Sequence, residues 1–117
     1  MQRGSEQDLM DAVAQFPVAV GYDAHHPAFK LYDSGVFDID YCTTHLTHAM
    51  LIVGYGTDSG GKDYWKVQNS WGKNWGEEGF GKIARGKNMC AIANLASYPV
   101  LDKPEEWSFA ALEEERN

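Results

Sequence analysis

Hydrophobic and polar positions along the chain follow two rhythms, and the change between them divides it. Ser5-Glu6-Gln7-Asp8 reads as a helix start with an acid three positions after the cap, and Leu9, Val13 and Phe16 follow at helical spacing until Pro17 ends the pattern. Beyond Pro17 the rhythm becomes one of short extended runs, at 18–22, 49–55, 64–67 and 80–84, separated by Gly- and Asp-rich connections. Asp58-Ser59-Gly60-Gly61 predicts a hairpin turn joining the second and third of these runs. In the third, two-residue alternation puts Trp65, Val67 and Asn69 on one face and Lys66 and Gln68 on the other. The expected class is α+β, mainly β, with one N-terminal helix and no internal repeat.

Composition narrows this picture. A length of 117 residues supports one compact domain, and 44% hydrophobic with 23% charged residues predicts an ordered core through residue 100. The net charge of -7, with no cluster of Lys or Arg, argues against a nucleic-acid surface. Residues 102–117 carry six acids against Lys103 and Arg116, so an acidic extension is set off from a domain at 1–101. Trp107, Phe109 and Leu112 give that extension an amphipathic, partner-binding alternative to the simpler reading of a flexible tail. No apolar run is long enough to span a bilayer and Met1 to Ser5 lack a signal-peptide core, so no membrane partner is expected and the termini do not give the compartment.

The candidate chemistry lies at the edges of two predicted strands. Thr47-His48-Ala49 opens one apolar run, and Gln68-Asn69-Ser70-Trp71-Gly72 closes the next, about twenty residues on. A hairpin between them brings an imidazole near a carboxamide: a general base and a group that orients it, a couple that serves a thiolate nucleophile. On the residues alone, Cys42 and Cys90 are open between buried thiols, a disulfide and ligands. Cys42, His45 and His48 have zinc-like spacing, but a structural site needs four ligands and no second cluster is present, so neither metal nor cofactor is assigned. His25-His26 reads as solvated loop.

Leu46-Thr47-His48-Ala49 through Val53-Gly54-Tyr55-Gly56, then Asn69-Ser70-Trp71-Gly72-x-x-Trp75-Gly76-x-x-Gly79-Phe80, then Tyr98-Pro99-Val100, together resemble the C-terminal half of papain-family cysteine peptidases of the cathepsin L type. The resemblance runs from about residue 5 to residue 101. It implies an antiparallel, barrel-like β domain in which His48 partners the catalytic thiolate, Asn69 accepts the other ring N–H and Trp71 covers that bond. Trp75 is placed on the leaving-group side of the cleft. Substrate contacts are implied for Leu46, Thr47, Ala49 and Leu95, with a shallow apolar pocket for the residue preceding the cleaved one. A Cys42–Cys90 bridge is implied as well, and with it an oxidising, lysosomal or secreted location.

The family's nucleophile lies about 130 to 150 residues before its His, whereas only 47 residues precede His48. The thiol and the oxyanion-binding Gln are therefore expected outside this chain. The leading reading is the His/Asn-bearing half of a cysteine endopeptidase, inactive alone, with the Cys supplied by a missing half or another chain; its expected partners are that Cys-bearing N-terminal half, or another protein covering the cleft face, and a peptide substrate. The alternative is a catalytically inactive half-domain used as a structural or binding module in a larger assembly. An inhibitor or prosegment-like regulator is the weakest reading, because the resemblance is to the mature enzyme. In each case the face toward the missing half is expected to be apolar and to need covering.

Overall fold

The computed structural model describes residues 4–97. Tyr98-Pro99-Val100 and the acidic extension at 102–117 lie outside the described residues. The N-terminal helix α1 spans Glu6–Val13, and the Ser5 hydroxyl caps it by accepting from the Asp8 N–H at 3.2 Å. Leu9, Ala12 and Val13 are its buried stripe. The Glu6 carboxylate pins the helix to the sheet, accepting from the Trp65 indole N–H at 2.9 Å, the Gly86 N–H at 2.8 Å and the Asn88 N–H.

The strands are β1 (Val18–Tyr22), β2 (Val36–Phe37), β3 (His48–Thr57), β4 (Asp63–Gln68), β5 (Phe80–Ala84) and β6 (Ala96–Ser97), with a one-turn helix α2 (Pro27–Lys30) after β1. They form a single sheet in the order β2-β5-β4-β3-β1-β6. Every pairing is antiparallel except β2 with β5. Among the described residues the sheet stays open, so the barrel-like expectation is met there in its antiparallel content and not in closure. All four predicted runs are strands, with β3 longer than expected at both ends. The β3–β4 hairpin turns at Asp58, whose carboxylate accepts from the N–H groups of Gly60 and Lys62 at 2.9 and 2.8 Å.

Helix α2 and the two-residue strands β2 and β6 were not expected, since elements this short carry no period. His25 and His26 are likewise more engaged than a solvated loop. His26 Nδ1 caps α2 by accepting from the Ala28 N–H at 3.0 Å, and the His25 ring lies 2.8 Å from the Asp23 carboxylate. The His-Pro pair at 26–27 was the available signal, because Pro suits the first helical turn. Phe29 from α2 then enters the core among Trp65, Tyr22, Leu9 and Ile52, all nearly sealed from solvent.

Cys42 and Cys90 form a disulfide with Cα atoms 4.9 Å apart, closing a separation of 48 residues. In the chain-entropy model such a loop contributes about 3–5 kcal/mol. Reductant is therefore expected to lower the denaturant midpoint by a corresponding amount; finding two titratable thiols in the unreduced protein would contradict the bridge. The sulfur of Cys42 is committed to Cys90, so the Cys42, His45, His48 spacing does not supply a thiolate to a metal.

Candidate active site

His48 is the first residue of β3 and Asn69 the first after β4. Leu51 pairs with Gln68, so continuing the ladder by one position puts Asn69 opposite Met50, diagonal to His48 on the same buried face. The side chains meet there: His48 Nε2 lies 2.8 Å from Asn69 Oδ1. A carboxamide oxygen only accepts, so Nε2 donates, and in the neutral ring Nδ1 keeps its lone pair. The same oxygen also accepts from the Ser70 N–H at 2.7 Å. Asn69 is 8% exposed, and its Nδ2 finds no acceptor among the described residues.

Aromatic rings enclose this bond. Trp71 stacks on His48 with centroids 4.7 Å apart and planes at 29°. Phe29 meets Trp71 edge-on at 5.5 Å and the His48 ring edge-on at 6.4 Å, and lies tilted against Trp75 at 5.1 Å. Trp75 donates its indole N–H to the Phe29 carbonyl at 2.8 Å, fixing α2 against the loop after β4. Trp71 is 40% exposed and Trp75 only 5%. Trp75 is a buried residue, edge-on to Trp71 at 6.0 Å, and Trp71 is the indole that solvent reaches. Excluding water on one side strengthens the His48–Asn69 bond by lowering the local dielectric.

On the other flank of His48 lies a cavity of about 380 Å³, walled by Val20 and Gly21 of β1, by Leu46, His48 and Ala49, and by Leu95 and Ala96. Gly21 lets Leu46 close on β1 there: a Cβ would lie 2.9 Å from Leu46 Cδ1, so the Leu46 side chain would have to shift. Three of the four residues expected to touch substrate, Leu46, Ala49 and Leu95, line this cavity. Thr47 does not: its hydroxyl accepts from the Ala24 N–H at 3.0 Å and its own N–H donates to the Tyr22 carbonyl at 3.0 Å. Thr47 thus ties the loop before β3 to the end of β1.

Sequence reasoning passed over Asp23, which is 1% exposed. Burial raises its pKa, but hydrogen bonds from the His25 ring, the Thr43 N–H and hydroxyl and the His25 N–H outweigh this and hold the carboxyl well below the usual carboxylate range. Since the folded value is depressed, the stabilisation is present above the unfolded value near 4 and is lost only as pH falls below it. Asp23→Asn should remove that portion of the acid unfolding curve; identical acid limbs in both proteins would contradict the assignment. The available signal was a carboxylate directly following a buried strand.

The chain is similar to known proteins in sequence and in fold. A family model described as papain family cysteine protease matches residues 1–100. Cathepsin S of Mus musculus is 52% identical over 98 residues, which are 82% of this chain and 28% of the relative. Cathepsin L of Sarcophaga peregrina is 48% identical over 101 residues, covering 84% of this chain and 30% of the relative. Among solved structures, digestive procathepsin L2 from Tenebrio molitor larval midgut superposes with a TM-score of 0.81 at 49% identity, over 86% of this chain and 32% of that one. The bromelain protease of Ananas comosus, in complex with the E64 inhibitor, gives 0.80 at 44% identity, over 86% of this chain and 47% of that one. The chain thus spans about 30% of the length of the curated relatives it matches. With the His48–Asn69 couple beneath a stacked indole and the matched residues covering nearly all of its described length, the chain belongs to the papain family of cysteine proteases.

Proposed function

We propose that this chain supplies the His/Asn wall of a cysteine endopeptidase whose nucleophilic thiol lies on a segment outside these 117 residues. The observation that carries the reading is the 2.8 Å contact of His48 Nε2 with Asn69 Oδ1 under the Trp71 ring. It commits Nε2 to donation and leaves Nδ1 for the reacting thiol. A free thiol has a pKa near 8.5 and is mostly protonated at neutral pH; a close imidazolium lowers that by several units. The thiolate attacks the scissile carbonyl, the imidazolium gives its proton to the leaving amine, and His48 then takes a proton from the water that releases the acyl group. Asn69 holds the ring without adding charge. Trp71 flanks the leaving-group side, and the cavity at Leu46, Ala49 and Leu95 receives an apolar side chain on the acyl side. The Cys42–Cys90 bridge suits an oxidising location, lysosomal or secreted.

The test is the pH dependence of thiol alkylation in the full-length protein carrying this chain. With His48 present, the reactive thiol should alkylate rapidly several pH units below 8.5; in His48→Ala the profile should return to that of an ordinary thiol. Superimposable profiles would leave the chain as a structural module of the family.

A further inference from the structure

We propose that Asp23 is a positioning residue for His48, a buried carboxylate that joins the end of β1 to the loop entering β3 and thereby holds the imidazole in register with Asn69. This rests on the reading of His48 as the proton-transfer group. Asp23 follows Tyr22, and Tyr22 is the register partner of His48, so the carboxylate sits just past the rung that carries the imidazole. One oxygen accepts from the Thr43 N–H at 2.7 Å and its hydroxyl at 2.8 Å. The other accepts from the His25 N–H at 3.3 Å and lies 2.8 Å from the His25 ring. The Asp23 N–H donates to the Cys90 carbonyl at 3.0 Å.

These bonds form a closed clamp. Thr43 is held by the carboxylate, Thr47 by the Tyr22 carbonyl and the Ala24 N–H, and only residues 44–47 separate Thr43 from His48. Residues 42–47 contain no helix or strand of their own, so the approach of the chain to β3 is set from outside by residues 22–24. The Cys42–Cys90 bridge fixes the entrance to the same loop, and Asp23 contacts both sides of it, through the Cys90 carbonyl and through Thr43. A carboxylate is suited to this because it accepts several N–H and O–H groups at once, and with them satisfied it tolerates burial. His48 in turn relies on its backbone: the ring touches Asn69 and Trp71, both on the loop after β4, and keeps those contacts only while the end of β3 stays in place. A displacement of about 1 Å at a reacting group costs on the order of 10²-fold in rate.

The experiment uses the full-length protein with Asp23→Ala, Asp23→Asn and, as a destabilised control away from the site, Val13→Ala in α1. It reads kcat and KM separately, together with the ¹H–¹⁵N NMR signal of the His48 Nε2–H. Asp23→Ala should lower kcat about 10- to 100-fold with KM held within about threefold, and should move the ring N–H signal toward that of a solvent-exchanging imidazole. Asp23→Asn should fall between, because its amide oxygen still accepts from Thr43. Val13→Ala should lower the thermal midpoint and leave kcat and the ring signal as they were. A loss of thermal stability alone, with kcat and the ring signal of wild type, would overturn the proposal; if Asp23→Ala does not fold, the same outcome in Asp23→Asn overturns it. Full turnover in His48→Ala would sink the peptidase reading instead, and the ring signal would still decide whether Asp23 positions His48.

Discussion

Replacing His48 by Ala in the full-length protein is expected to reduce kcat/KM for a peptide substrate by about 10³- to 10⁴-fold or more, since the proton-transfer group and the partner that keeps the thiol ionised are lost together. Asn69→Ala should cost less, on the order of 10²-fold, because Asn69 fixes the ring through its 2.8 Å contact and transfers no proton. Trp71 still stacks on the imidazole in that variant, so part of the orientation survives. Steady-state kinetics on both variants, with thermal midpoints to show that each is folded, check the order. Equal losses would mean that Asn69 does more than orient; no loss in either would remove both from the chemistry.

The second large effect is on folding. Gly76 has φ 61°, and a Cβ there would lie 2.5 Å from the Phe80 carbonyl oxygen and 2.9 Å from Tyr32 Cε2. Left-handed backbone costs a non-glycine residue about 1–2 kcal/mol and the clash adds a comparable amount, so Gly76→Ala should destabilise by about 3 kcal/mol. Against a typical total of about 5–15 kcal/mol this is a large fraction. The loop carrying Trp71 and Trp75 would be disturbed with it, because the Gly76 N–H is tied to the Tyr32 carbonyl at 3.2 Å. Gly54→Ala is the control: its Cβ meets open space, and a change within about 0.5 kcal/mol is expected in denaturant unfolding. Equal midpoints for the two variants would show that the loop relaxes freely.

The longer strands were legible in the sequence because each has a period to display, and the β3–β4 hairpin because Asp58-Ser59-Gly60-Gly61 is a turn by its chemistry. The His48–Asn69 contact was expected from the hairpin together with the resemblance, and the register of β3 against β4 brings the two side chains to one face. What was not legible depends on tertiary contacts without local signature. Nothing near Trp75 in sequence says that its indole N–H will be taken by the Phe29 carbonyl, 46 residues away. Thr47 stands beside His48 in sequence but turns its hydroxyl to Ala24, which only the register of β1 against β3 decides. Asp23 was passed over because two of the donors to its carboxylate come from Thr43, twenty residues on.

The central claim is that this chain completes a site whose nucleophile lies elsewhere, and complementation tests it most directly. Peptide hydrolysis would be measured for the chain alone, for the Cys-bearing segment alone, and for the two together. Both cysteines of this chain are bonded to each other, so it should hydrolyse nothing by itself. The mixture is predicted to regain turnover that disappears when the added chain carries His48→Ala. A tight complex with no turnover, or turnover that persists without His48, would contradict the account.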